Sequence, residues 1–174
     1  MIIAVSGLAG SGKNTFGMAL AKELGYRVVC PTFKDLASAE GVTLMEFQEK
    51  AKADPNIDKK FDDALRKDSS SGDCVVTTWL GPWMVKADYR VWVMVPEKIR
   101  AERVAVRDGV SVPQALEHIR KRDSENRERY LKLYGIDIYN IEGFDLALNA
   151  GFYTPEKMVK IALEGLKQKG MEKR

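Results

Sequence analysis

The sequence predicts an α/β fold, a five-stranded parallel sheet covered by helices on both faces. Three observations carry this prediction. Short apolar runs of strand type alternate with longer segments whose apolar residues recur at helical spacing. The first of these runs enters the first helical segment through a glycine-rich turn, Gly7-Leu8-Ala9-Gly10-Ser11-Gly12-Lys13-Asn14-Thr15. No internal repeat and no linker divides the 174 residues, a length that suits one domain (1–174) with a sizeable core.

The elements follow in order. Met1 to Ser6 (MIIAVS) is a short buried strand. After the turn, Phe16, Ala19, Leu20 and Leu24 mark one face of a helix, and Gly25 is placed to stop it. Tyr26 to Cys30 reads as a second strand ended by Pro31. Phe33 to Glu40 reads as helical. Thr43 to Ala53 reads as the next helix, opened by a capping box of Thr43 with Glu46. Ile57 to Lys67 follows with Ile57, Phe61 and Leu65 on one face. Ser69 to Asp73 is a polar turn before the strand Cys74 to Thr78. Arg90 to Val95 is the fourth strand. Ile99 to Arg107 and Val112 to Leu133 are helical, Asp145 to Asn149 is the last strand, and Pro155 to Lys167 is a helix with proline in its first turn. The tail KQKGMEKR reads as a solvated end. Strands this short, each followed by helix, argue for a parallel sheet.

The glycine-rich turn matches a phosphate-binding loop in all but one position. That motif asks for Gly, four residues, Gly-Lys, then Ser or Thr, between a strand and a helix. Its glycines let backbone N–H groups converge on phosphate oxygens, and the helix N-terminus adds its positive dipole end. Lys13 supplies a charge for the β- and γ-phosphates of a nucleotide such as ATP. A dinucleotide fingerprint fits poorly, because Lys-Asn-Thr follows Gly12 with no further glycine. Asn14 stands where a hydroxyl normally meets the metal. Its amide oxygen is either a hard metal ligand or a cap on the first helical turn. The Thr15 hydroxyl bonds either the α-phosphate or its own helix backbone.

Composition excludes other classes. No apolar run approaches a membrane span. The first ten residues lack the basic region of a signal peptide, so a cytoplasmic location is the expectation. Cys30 and Cys74 have no metal spacing and read as small buried residues of a reducing compartment. The formal charge of +3 fits an anionic ligand and is too slight to argue for nucleic acid. His118 is the only histidine and lies in a charged helical segment, so it reads as a surface residue.

Two arginine groups flank the turn-containing segment DGVSVPQAL. Arg100, Arg103 and Arg107 share one helix face, and Arg120, Arg122, Arg127 and Arg129 follow. Acids such as Glu97 and Glu102 make a salt-bridged surface one reading. A lid that brings cations onto a transferring phosphoryl is the other, and the phosphate loop favours it for at least two of the arginines. Trp79 and Trp83 are four residues apart, but Gly81-Pro82 argues against a helix between them. One of them lines the acceptor pocket, or both are wedged core aromatics.

The stretches MIIAVSGLAGSGKNT, VPEKIRAERVAVRDG, RDSENRERYLKLYGIDIYN and FDLALNAGFYTPE, in that order, cover essentially the whole chain. In them the sequence resembles the archaeal type of cytidylate kinase, within the nucleoside monophosphate kinase family. The resemblance implies the P-loop kinase fold, with a helical monophosphate-binding flap at 33–66 and a small lid at 108–122. It implies transfer of a phosphoryl from ATP to CMP or dCMP with magnesium, by a monomer acting on small nucleotides. By the same resemblance, Gly7 to Thr15 hold the ATP phosphates and Arg103 packs on the adenine. Arg107 is a phosphate arginine at the base of the lid, and Arg122 and Arg129 close on the phosphates of both substrates. Asn149 to Gly151, with Ala150 at its centre, reads the base edge. Lys34 and Lys59 are anion contacts of the flap.

The chain also departs from that family. CPTFKD is about two residues shorter than the usual phrase before the flap. Thr77-Thr78-Trp79 replaces a Glu-Gly-Arg, which removes an acid near the metal and an arginine on the monophosphate. Three readings therefore stand: a cytidylate or related monophosphate kinase, a kinase of the same fold with a different acceptor, and a nucleotide-binding protein with little catalysis.

Overall fold

The computed structural model describes residues 1–43, 46, 47, 50, 51 and 54–171. Among them five strands form one sheet: β1 (Ile2–Ser6), β2 (Arg27–Val29), β3 (Cys74–Thr77), β4 (Tyr89–Met94) and β5 (Leu146–Asn149). Their order is β2-β3-β1-β4-β5 and every pairing is parallel. Parallel neighbours need long crossovers, which the helices supply. These are α1 (Lys13–Leu24), α2 (Phe33–Ala39), α3 (Pro55–Ser69), α4 (Gly81–Met84), α5 (Glu97–Asp108), α6 (Val112–Tyr134) and α7 (Pro155–Gln168).

The apolar strands are buried from both sides. Ile3, Ala4 and Val5 of central β1 have no exposed surface, and Val5 lies between Thr77 and Val91. One core joins the sheet to α1 and α7 through Phe16, Leu20, Met158 and Leu166. Burying each such side chain is worth roughly 1.5–3 kcal/mol relative to exposure. On the other face Val29, Leu65, Val76, Leu80 and Ile138 pack together. A third cluster holds α5 to α6 through Ala101, Val104, Ala115 and Ile119, and Ala9 of the glycine-rich loop packs into it.

Among the described elements, strand and helix positions follow the sequence reading to within three residues, with one exception. Gly81-Pro82 opens α4 instead of preventing it. Proline is harmless in a first helical turn, where its missing N–H has no partner to lose. The capping box at Thr43 is present. The Glu46 carboxylate accepts the Thr43 N–H at 2.8 Å, and the Thr43 hydroxyl accepts the Glu46 N–H at 3.2 Å. Positions 44, 45, 48, 49, 52 and 53 of the helix predicted there lie outside the described residues, as do 172–174 of the tail. Cys74 is buried as expected. Cys30 is only half-buried, because β2 ends before it and its thiol donates to the Thr77 carbonyl at 3.3 Å.

A polar seam joins α3 to α6. Arg129 grips the buried Asp58 carboxylate with two nitrogens, its Nε at 3.0 Å, and its guanidinium lies 5.3 Å from the Phe33 ring centre. One turn along, the Tyr134 hydroxyl donates to the buried Asp62. Burial pushes the Asp62 carboxyl up, against the opposing pull of that hydrogen bond.

Candidate active site

The candidate site lies at the carboxyl ends of the strands, where β1 passes between β3 and β4. Crevices at such a reversal of strand order are where open α/β sheets bind ligands. β1 ends at buried Ser6, whose hydroxyl donates to the Trp79 carbonyl at 2.8 Å and ties the loop's start to the chain two residues past β3. A Cβ on Gly7 would come within 2.4 Å of the Val93 carbonyl oxygen, so only glycine lets the loop leave beside β4. The loop turns back on itself through a Ser11 N–H to Leu8 carbonyl bond of 3.1 Å. Gly12 then caps α1 at φ 84°, a conformation that suits glycine. Half-buried Leu8 packs toward the core beneath. The Ser11 hydroxyl is buried without a hydrogen-bond partner.

Lys13 is the first residue of α1 and is partly buried. Its Nζ lies 4.9 Å from the centre of the Trp79 ring, and the Arg122 guanidinium stands over the same ring at 6.0 Å. Desolvation, and then the charge of Arg122, lower the Lys13 ammonium to about 8. Arg122 has no ion-pair partner among the described residues. Two cations are thus held beside one ring at the mouth of the loop, an arrangement that an anion would relieve.

Asn14 and Thr15 occupy the next two positions of α1. Both are exposed, and neither side chain hydrogen-bonds among the described residues. Gly12 fills the cap position, so the capping reading of Asn14 does not hold. The Thr15 hydroxyl likewise makes no bond to its own helix among the described residues.

Gly10, Arg107, His118 and Arg122 line one small cleft, with Ala9 and Val104 at its floor. Arg107 is exposed and forks onto the neighbouring Asp108 at 2.6 and 2.8 Å. The sequence reading placed His118 on the surface without a role. It is exposed and also faces this cleft, one helical turn before Arg122, and that spacing was the available signal. Arg103 donates to the Ala150 carbonyl at 2.6 Å and to the Ser11 carbonyl at 3.4 Å, joining the loop after β5 to the phosphate loop. The Asn149 side chain accepts the Gly151 N–H at 2.9 Å and tightens that turn.

The other expected residues belong to α2, α3, α6 and the stretch after β3. Arg129 is engaged by Asp58 in the α3–α6 seam. Lys59 is exposed on α3. Lys34 belongs to α2, and its side chain lies outside what is described. Of the two tryptophans, Trp79 faces Lys13, whereas Trp83 packs edge-on against Phe144 at 5.2 Å. Sequence reasoning missed the partner of Arg100. This arginine is buried rather than part of an exposed face, and it pairs with Asp123 at 2.7 Å. No cluster of three His, Cys, Asp or Glu side chains is placed to hold a metal among the described residues.

The chain is similar to known proteins over most of its length. A sequence profile described as the Cytidylate kinase-like family matches residues 2–151. The cytidylate kinase of Pyrococcus horikoshii is 40% identical over 172 residues, covering 95% of this chain and 90% of that protein. The cytidylate kinase of Pyrococcus abyssi is 40% identical over 175 residues, covering 97% of each. Among solved structures, a shikimate kinase from Acinetobacter baumannii superposes with a TM-score of 0.65 at 15% identity, covering 98% of this chain and 95% of that one. At that identity the likeness concerns the fold alone, a P-loop kinase sheet with its flanking helices. The match spans the loop, the arginine-bearing helices and the turn after β5 together, and on that ground the chain belongs to the cytidylate kinase-like family.

Proposed function

We propose that this protein is a cytidylate kinase, a cytoplasmic monomer that transfers the γ-phosphoryl of ATP to CMP or dCMP. The observation that carries the reading is the placing of Lys13 and Arg122, which has no ion-pair partner among the described residues, beside Trp79 on a phosphate loop in a chain of this family. Lys13 and the loop N–H groups take the β- and γ-phosphates. Arg103 and Ala150, already bonded across the mouth of the site, flank the adenine. An acceptor phosphate oxygen attacks the γ-phosphorus in line as the bond from that phosphorus to the β–γ bridging oxygen breaks and ADP leaves. Lys13, Arg107 and Arg122 stabilise the charge that develops. The acceptor phosphate is already ionised near neutral pH, so no general base is needed. Segment 33–66 closes on the monophosphate and 108–122 closes over ATP.

Arg129 reaches a phosphate only by leaving Asp58. Its first role is therefore to hold the flap against α6. Magnesium supplies charge neutralisation on the phosphates when bound. The donors present fit a hard ion carried in largely by phosphate and water. Asn14 offers an amide oxygen, and the Thr77 hydroxyl is buried and without a partner.

The test is incubation with ATP, magnesium and each common nucleoside monophosphate, deoxy forms included. CDP formed from CMP in clear excess over the other diphosphates is the expected result. Faster turnover of another acceptor would instead support the reading that the Thr77-Thr78-Trp79 stretch marks a changed acceptor. ATP binding with no turnover would reject the kinase assignment.

A further inference from the structure

The Ala9 peptide is held on both sides by one buried ion pair. Arg100 of α5 and Asp123 of α6 are 7% and 4% exposed and meet at 2.7 Å. The same Arg100 Nη1 that reaches Asp123 Oδ2 also donates to the Ala9 carbonyl at 2.9 Å. The other carboxylate oxygen, Asp123 Oδ1, accepts the Ala9 N–H at 3.0 Å. Donor and acceptor of one loop residue are thus satisfied by opposite charges from two helices.

Such a pair is a costly way to hold two helices together. Desolvating both charges offsets most of their attraction, and an apolar pair of similar volume commonly serves stability as well or better. The third cluster already packs α5 against α6 without it. The pair does supply direction. The loop is rich in glycine and hence in conformations, while phosphate binding needs its N–H groups aimed before the ligand arrives. Fixing Ala9 sets the plane of the peptide leading into Gly10, from which the loop runs on to Lys13. The pair also presents no net charge to the phosphates, and Asp123 directly follows Arg122 on α6.

We propose that Arg100 and Asp123 are positioning residues for ATP: through the Ala9 backbone they preorganise the phosphate loop, and they tie its shape to the helix that carries Arg122. Ala9 itself then serves as the anchor of the loop, its N–H committed to Asp123 rather than to phosphate. The inference rests on this loop being the ATP site, but not on CMP being the acceptor.

The test reads ATP affinity by equilibrium titration, so it stands even if CMP is not turned over. Two variants of the full chain are compared with the parent: Arg100→Met/Asp123→Leu, which removes both charges, and Asp123→Asn, which keeps the size. Thermal midpoints and CMP affinity are measured alongside. The expected result is an ATP dissociation constant raised about tenfold or more in either variant that folds, with CMP affinity within about twofold of the parent. The double variant should keep a thermal midpoint near the parent's. A folded double variant that binds ATP as tightly as the parent would overturn the proposal. So would ATP and CMP affinities falling together in step with a lowered midpoint, the mark of a purely structural pair. If the double variant does not fold, Asp123→Asn decides by the same two criteria. Failure of the parent to bind ATP at all would reject the site itself.

Discussion

Lys13 sits between a tryptophan ring and a second cation, and burial lowers its ammonium to about 8 against an ordinary value of 10.5. The unfolded chain therefore holds this proton more tightly than the folded one. The penalty on the fold is complete below pH 8, shrinks as pH rises from 8, and vanishes above 10.5. Replacing Lys13 by methionine should raise the thermal midpoint of the ligand-free protein at pH 7 and abolish phosphoryl transfer. Melts at pH 7 and pH 10 check this, and the gain must be smaller at the higher pH. Arg107 gives the opposite contrast. It is exposed and bonded to its own neighbour, so Arg107→Ala should shift stability by no more than about 0.5 kcal/mol. Its turnover should fall on the order of a hundredfold, and an unchanged rate would remove Arg107 from the site. The spacing of Gly7 to Lys13 made this part of the molecule readable, because a phosphate loop is local in sequence. The Ala9–Asp123 bond was not readable. It joins positions 114 residues apart, and no local pattern marks which acid among many will be buried.

Elements were more legible than their partnerships. Short apolar runs and helical spacing located the strands and, α4 and the segment after Thr43 apart, the helices, because strands here are buried on both faces and each helix buries one stripe. The proline of α4 suggests a breaker in the sequence, yet it sits in the first turn and opens the helix. The α3–α6 seam, by contrast, depends on which charge of one helix meets which of another. Arg129 is 28% exposed and Asp58 is 7% exposed on their side chains. Arg129→Ala would leave Asp58 buried without a counter-charge, at a cost of about 3 kcal/mol. This is the low end for a broken buried pair, because water reaches the arginine side. Urea unfolding would measure it, and adding Asp58→Leu should recover part of the loss. A single variant as stable as the parent would mean that the seam does not hold the flap.

For the molecule as a whole, β1 separates two halves. β3 and β2 lead to Trp79 and to α2 and α3 on one side, while β4 and β5 lead to α5 and to the Ala150 turn on the other. The sequence departures from the family's usual phrases fall on the first side, at CPTFKD and Thr77-Thr78-Trp79. Donor binding should therefore be intact whatever the acceptor proves to be. ATP at about one hundred times its dissociation constant should stabilise the parent by about 2.7 kcal/mol, seen as a midpoint raised by several degrees. In Lys13→Met the same ATP concentration should produce little shift. A full shift there would show that ATP is held elsewhere.

The strand order has one more consequence. It puts the two longest strands, β4 and β1, inside and leaves short ones at the edges: β2 offers an outer row of only three residues and β5 one of four. A free strand margin is what another chain zips onto when sheets merge into swapped dimers or fibres. Here those margins end almost as soon as they begin. Margins this short leave neighbouring chains little template on which to grow.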